Sequence, residues 1–138
     1  MIRSFARAAL LVSLVFAVAC DDDDDPVGLP VTATLTSGTP VTNISGSINS
    51  LKLYRVVVPA SATRLTVTTS GGTGDVDLIV GQGASPTEAN VVCDQFGSTN
   101  TETCIINAPA AGDWYVVLDA ADAFTGVTLT ATIAMPPT

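Results

Sequence analysis

The sequence predicts an all-β protein, a jelly-roll-like antiparallel β-sandwich of about 8 strands. Three observations favour it. Apolar and polar residues alternate along most segments after residue 30. No segment there repeats apolar residues at the helical interval of about 3.6 residues. Clusters of Gly, Pro and Ser separate the alternating segments, at the spacing of roughly 8 to 12 residues that is typical of sandwiches and barrels.

Each predicted strand follows from its own pattern. In the first, Val31, Ala33 and Leu35 share one face and threonines occupy the other. The strand that begins at Trp114 is apolar on both faces, which indicates a central position in a sheet. The predicted strands cover residues 31–36, 51–58, 64–69, 75–80, 91–94, 103–106, 114–118 and 127–133.

The N-terminus is predicted to be a signal peptide over residues 1–19. Arg3 and Arg7 precede an apolar run of about 12 residues, whereas a membrane-spanning helix needs roughly 20. A buried N-terminal helix is the alternative, but no helical pattern elsewhere could pack against it. Residues 17–20, Ala-Val-Ala-Cys, resemble a bacterial lipobox, so we expect Cys20 to carry lipid. Ordinary secretory cleavage, which would leave a free thiol, is the other interpretation.

Five consecutive aspartates, residues 21–25, follow Cys20. Adjacent like charges keep a chain extended, so residues 20–30 are predicted to form a flexible acidic spacer after the lipidated cysteine. Alternatively, the five aspartates could act as a sorting signal or bind calcium weakly. We expect a membrane-anchored, extracytoplasmic lipoprotein, at the outer membrane or cell surface.

Composition excludes several classes of function. The 138-residue chain has no His and a net charge of −8. Mechanisms that need an imidazole are therefore excluded, and nucleic acid is an unfavourable partner because its phosphates require clustered Lys and Arg. No Ser or Thr has a base nearby in sequence, so we predict that the protein is not an enzyme.

Cys93 and Cys104 are predicted to form a disulfide. Bridges are favoured outside the cytoplasm, and a hairpin with paired legs would bring these two residues together. A bridge that closes such a short loop is worth roughly 2 to 3 kcal/mol. A metal-binding or catalytic thiol pair is the alternative.

Several segments resemble the bacterial pre-peptidase C-terminal (PPC) domain. They are residues 54–60, residues 65–80 with the core Gly74-Asp75-Val76-Asp77-Leu78, and residues 109–118. The similarity extends over about residues 46–133. It implies a jelly-roll-like sandwich of the kind that accompanies secreted proteases. We place this domain at 31–135 and a short tail at 136–138. Because no protease sequence precedes it here, we expect any peptidase partner to act in trans.

Two sets of residues are candidates for a site. Asp75 and Asp77 could bind calcium together with Asp94 or Glu102, although Asp75 could instead cap the glycine turn while Asp77 faces water or pairs with Arg55 or Arg64. The aromatic residues Tyr115, Phe96 and Phe124 are candidate ligand contacts, the last two from loops, although loop aromatics can also serve packing. Trp114 is predicted to lie in the core.

The predicted function is a non-enzymatic, lipid-anchored module of the cell envelope. We expect it to bind an extracellular protein or glycan, or to support a surface assembly, without a required cofactor. One alternative is a calcium-stabilised structural domain. The other is an accessory domain that acts in trans with a secreted peptidase.

Overall fold

The computed structural model describes residues 28–138. The predicted signal peptide, Cys20 and the aspartates at 21–25 lie outside the described residues. All regular elements from residue 28 onward are strands, nine where the sequence predicts about eight. They are β1 (Val31–Leu35), β2 (Val41–Gly46), β3 (Leu51–Val58), β4 (Arg64–Ser70), β5 (Val76–Gln82), β6 (Val91–Gln95), β7 (Glu102–Asn107), β8 (Gly112–Ala120) and β9 (Phe124–Ala134).

The strands form two sheets packed face to face, which confirms the predicted sandwich. Sheet A has the order β1-β3-β8-β5-β6, and sheet B has the order β2-β9-β4-β7. Neighbouring strands are antiparallel except β1, which runs parallel to β3. No helix long and apolar enough to cross a membrane occurs between residues 28 and 138.

Strand β2 is the element that the sequence does not predict. Its segment, Val41-Thr-Asn-Ile-Ser-Gly, lacks a clean alternation, and its pairing with β9 shifts register on both sides of Ile44. Asn43 adopts a positive φ of 58°, a conformation that asparagine tolerates better than most residues. This local irregularity removes the period of two on which strand prediction depends.

The main core lies between the inner faces of the two sheets. Its largest fully buried side chains include Trp114 and Tyr54 from sheet A and Phe124 from sheet B. The indole Nε1 of Trp114 donates a hydrogen bond to the carbonyl oxygen of Ala110 at 2.9 Å, so burial leaves its polar atom paired. Trp114 is therefore a core residue, as predicted.

One end of the sandwich is closed by contact between the β4–β5 loop and the start of β9. Thr73 and Thr125 pair through two backbone hydrogen bonds of 2.9 and 3.0 Å. Gly74 has a φ of 96°, and a Cβ there would overlap the carbonyl oxygen of Ala123. Glycine is thus required at residue 74 both by its backbone conformation and by this close approach.

The predicted disulfide between Cys93 and Cys104 is present, but the predicted hairpin around it is wrong. Strand β6 pairs with β5 in sheet A, whereas β7 pairs with β4 in sheet B. The segment 96–101 carries the chain from one sheet to the other. The bridge therefore joins the edge strands of the two sheets, with the Cα atoms 5.9 Å apart.

We expect the double variant Cys93→Ala/Cys104→Ala to lose about 2–3 kcal/mol of unfolding free energy, because the open chain gains conformational entropy when it unfolds. Urea denaturation of the oxidised protein and the double variant measures the difference. A reductant should destabilise the native chain to the same extent and leave the double variant unchanged. Equal stability of both proteins under oxidising conditions would contradict this role for the bridge.

Candidate functional site

A second apolar cluster covers the outer face of sheet A. Leu53, Val117 and Ile79 lie side by side on β3, β8 and β5, and they point away from the main core. All three are nevertheless buried, with exposures of 0–2%. The partly buried apolar side chains around them are Leu29, Leu51, Val91, Phe96 and Tyr115. We call this cluster of eight residues the outer-face patch.

Two of the predicted contact residues, Phe96 and Tyr115, belong to the outer-face patch. Tyr115 alternates with the inward-facing Trp114 on β8, so the two rings lie on opposite faces of sheet A as predicted. Phe96 directly follows β6 and reaches the same cluster. Each ring packs against apolar neighbours and keeps part of its surface exposed. The fold therefore brings together two aromatic residues that are far apart in sequence.

The structure corrects the prediction for Phe124, the third candidate contact residue. It was expected in an exposed loop, but it is the first residue of β9 and is only 1% exposed. Its ring packs in the main core and closely approaches Gly46 of β2. Phe124 therefore stabilises the sandwich and cannot contact a ligand while the domain is folded.

An ion pair lies on the same face of sheet A as the outer-face patch. Nη2 of Arg55 donates to Oδ1 of Asp113 at 2.7 Å, with side-chain exposures of 39% and 35%. Arg55 is the cross-strand neighbour of Tyr115. Since both charges remain in contact with water, the pair contributes little to stability, but it places polar groups next to an exposed aromatic edge.

The four candidate calcium ligands do not form one group. Asp77 lies opposite Asp119, and Asp94 lies opposite Ile79, so both are on the outer face of sheet A. Asp77 is 2% exposed and so does not face water. Asp75 and Glu102 instead belong to the end of the sandwich where β5 and β7 begin. Within residues 28–138, no three Asp, Glu, Cys or His side chains converge as a metal site.

Glu102 is a buried carboxylate with a raised pKa. Its Oε1 accepts a hydrogen bond of 2.7 Å from the backbone N–H of Gly97. Burial raises the pKa of Glu102, the negative charge of Asp75 raises it further, and the hydrogen bond from Gly97 lowers it. Because burial is the largest of these effects, the charged form of Glu102 is disfavoured in its surroundings.

These features define a small, disulfide-linked antiparallel β-sandwich module. The family model of the bacterial pre-peptidase C-terminal domain matches residues 50–120. The chain belongs to this family, which confirms the resemblance noted in its sequence.

Several of its relatives are proteases. An extracellular protease of Xanthomonas campestris pv. campestris is 48% identical over 98 residues, which cover 71% of this chain and 17% of that protein. Alkaline serine exoprotease A of Vibrio alginolyticus is 39% identical over 111 residues, covering 80% of this chain and 20% of that protein. The chain thus spans about a fifth of the length of these relatives.

Solved structures of similar domains share the fold. The solution structure of vEP C-ter 100 is 33% identical, with a TM-score of 0.58, and the match covers 71% of this chain and 96% of that one. The pre-peptidase C-terminal domain of collagenase from Bacillus anthracis is 15% identical, with a TM-score of 0.51 over 75% of this chain and 97% of that one. The similarity to the collagenase domain, at this low identity, shows a shared fold alone.

The contrast between the two phenylalanines gives a prediction about stability. Phe124→Ala should cost about 3–5 kcal/mol of unfolding free energy, because it leaves a cavity in the main core. Phe96→Ala should cost clearly less, because its ring is only partly buried on the outer face. Urea denaturation of the two variants measures both values. A smaller loss for Phe124→Ala than for Phe96→Ala would contradict the assignment of the two rings.

Proposed function

We propose that this protein is a non-enzymatic, lipid-anchored module of the cell envelope that binds a glycan or protein outside the cytoplasm through the outer-face patch. The observation that carries the proposal is that Phe96 and Tyr115 pack against the same apolar cluster on the outer face of sheet A. Partly exposed aromatic rings beside a polar pair, here Arg55 and Asp113, combine the apolar and polar groups that binding sites use.

The location outside the cytoplasm has independent support. The disulfide between Cys93 and Cys104 is of a type that persists in oxidising compartments. Relatives include proteins named as an extracellular protease and an exoprotease. The predicted signal peptide and the lipobox-like residues 17–20 agree with this location, and Cys20 is the residue that would carry the lipid.

The absence of enzymatic activity is supported by the chemistry that the sequence offers. It contains no His, so a hydroxyl nucleophile would need Lys52 or a carboxylate as its base. Lys52 lies on β3 and is opposite the apolar Leu118. In the protease relatives, the matched region makes up about a fifth of the protein.

A second candidate function is an accessory role in trans with a secreted peptidase. It is favoured by the number of relatives that are themselves proteases, among them the hemagglutinin/proteinase of Vibrio cholerae. The two candidates differ in what the outer-face patch would contact. A module that binds the envelope would be retained on cell-wall material alone, whereas an accessory domain would change the rate or stability of a peptidase.

We expect Tyr115→Ser and Phe96→Ser to weaken retention of the complete chain on purified peptidoglycan sacculi by about tenfold or more. Loss of a central aromatic contact commonly costs over 1 kcal/mol, and 1.4 kcal/mol is a factor of ten in affinity. Co-sedimentation with sacculi measures the change, and circular dichroism verifies folding. Ile105→Ser, on the opposite sheet and 56% exposed, is the matched control and should bind normally.

Failure of the native chain to sediment with sacculi, combined with a change in the activity of a secreted peptidase, would favour the accessory role instead. If Ile105→Ser and Tyr115→Ser were both retained less than the native chain, and to the same extent, the binding would not use the outer-face patch.

Lipid anchoring gives a separate prediction. Cells that express the chain should incorporate labelled palmitate into it, and Cys20→Ala should remove the label and release the protein from the membrane fraction. Cys93→Ala/Cys104→Ala should keep the label and is the matched control for cysteine replacement. Persistent labelling of Cys20→Ala would contradict the assignment of the lipid to this residue.

A further inference from the structure

The side chain of Tyr115 is bordered on three sides. Its cross-strand neighbour on β3 is Arg55, and its cross-strand neighbour on β5 is Gly81. Asp113 lies two residues before Tyr115 on β8, so the two side chains share the outer face of sheet A. The fourth side is the buried apolar cluster. We call Tyr115, Arg55, Asp113 and the loop of residues 83–90 the Tyr115 site.

The loop of residues 83–90 lies over the outer face at Gly81. Because Gly81 is two residues after Ile79 on β5, a side chain there would point outward. A Cβ at Gly81 would lie 3.1 Å from Cα and 3.2 Å from Cγ of Pro86. Cross-strand Cβ atoms are about 4.5–5.5 Å apart, so Pro86 lies beside Tyr115, in the space that a larger residue at 81 would fill.

The side chain of Asn90 holds this loop in one shape. Its Nδ2 donates to the carbonyl oxygens of Gln82, Ala84 and Ser85 at 3.0–3.2 Å. Its Oδ1 accepts hydrogen bonds from the backbone N–H of Thr87 at 2.6 Å and from the hydroxyl of Thr87 at 3.1 Å. One side chain thus fixes a loop that contains no strand or helix. Because this border is preformed, a ligand does not have to order it on binding.

Asp113 connects the two sides of the site. Its carboxylate accepts a hydrogen bond from Arg55 at 2.7 Å, and its backbone carbonyl oxygen accepts one from the backbone N–H of Gly83 at 2.8 Å. The side chains of Arg55 and Asp113 are both partly exposed, so a ligand that lies on Tyr115 can reach them. Because their charges are opposite, the pair offers hydrogen-bonding groups without a net charge.

A neutral ligand with several hydroxyl groups fits this arrangement. A hydroxyl can donate to Asp113 and accept from Arg55, since it is both a donor and an acceptor. The apolar face of a ring can pack on the exposed part of Tyr115. A charged ligand would be repelled by one member of the ion pair. Since Tyr115 lies on β8, between β3 and β5, the site has no open strand edge with which an extended peptide could pair.

We propose that the Tyr115 site binds one ring of a neutral carbohydrate, with Tyr115 beneath the ring and with Arg55 and Asp113 hydrogen-bonded to its hydroxyls. Asn90 is a positioning residue, because it acts on the ligand only through the loop that it holds. The inference rests on the proposed function, and it narrows the ligand from a glycan or protein to a neutral glycan.

The test is a titration of the complete ¹⁵N-labelled chain with the tetramer of N-acetylglucosamine, a neutral oligosaccharide, followed through the amide chemical shifts. We expect saturating shifts at Asp113, Tyr115 and residues 83–90. A tetra-alanine peptide blocked at both ends is also neutral and is the matched polypeptide ligand. It should give no saturating shift, because it lacks a ring to pack on Tyr115 and hydroxyls for the ion pair.

Two variants locate the ring and the loop. Tyr115→Ser should weaken binding of the tetramer by about tenfold or more, as the loss of a central aromatic contact does. Asn90→Ala should weaken it by about three- to tenfold, because the ligand must then order the loop. Amide hydrogen exchange should rise in residues 83–90 of Asn90→Ala, while circular dichroism shows a folded chain. Asn107→Ala removes a hydrogen bond to Arg64 on sheet B and is the matched control, with native affinity.

Three results would overturn the inference. The first is a chain that sediments with sacculi but gives no saturating shift with the tetramer, which would leave the proposed function in place with another class of ligand. The second is tetramer binding that Tyr115→Ser and Asn90→Ala leave unchanged. The third is equal binding of the blocked peptide. A chain that binds the tetramer at the Tyr115 site but does not sediment with sacculi would support the inference and contradict retention on the envelope.

Discussion

The packing of Trp114, Tyr54 and Phe124 between the two sheets is the interaction on which the rest of the structure depends. A single sheet of this size cannot bury its apolar face alone, so each sheet requires the other. The bridge between Cys93 and Cys104 joins the sheets at their β6 and β7 edges. Once the inner faces are fixed in this way, the outer faces and the two ends of the sandwich remain for other functions.

The two outer faces have different chemistry. On sheet B, the outward residues of β4 and β9 are largely threonines, such as Thr66, Thr68 and Thr130, which are only partly buried. Their methyl groups favour the strand conformation and their hydroxyls bind water. On sheet A, the equivalent positions hold Leu53, Ile79 and Val117. The buried apolar cluster is therefore on the outer face of sheet A, and Phe96 and Tyr115 are two of the residues through which it reaches solvent.

Alternation in the sequence was sufficient for most of the fold, because a sheet with one buried face has a period of two. Residues 51–58 were predicted with the bounds that β3 has. The period fails at Asn43, so β2 was missed. It also fails at Gly126, where two exposed residues separate the buried Phe124 and Val127, so Phe124 was placed in a loop. The cysteine pair was recognised, but one sequence cannot tell whether two neighbouring strands share a sheet.

The candidate sites depend on long-range register, which the sequence does not display. Phe96 and Tyr115 were singled out separately, but their place in one patch follows from the pairing of β3, β8 and β5. Asp75 and Asp77 were grouped because they are two residues apart beside a glycine turn, and Asp94 or Glu102 was added from a neighbouring loop. The strand pairing instead separates Asp77 and Asp94, on the outer face of sheet A, from Glu102 at the start of β7.

The central claim, that the outer face of sheet A is the binding face, is tested most directly by chemical-shift mapping. Amide shifts of the ¹⁵N-labelled chain would be followed during titration with soluble peptidoglycan fragments. The account predicts shifts that saturate together and cluster at Phe96, Tyr115 and the neighbouring residues of β3 and β5. Shifts that cluster on the threonine face of sheet B, or the absence of any saturating shift, would contradict it.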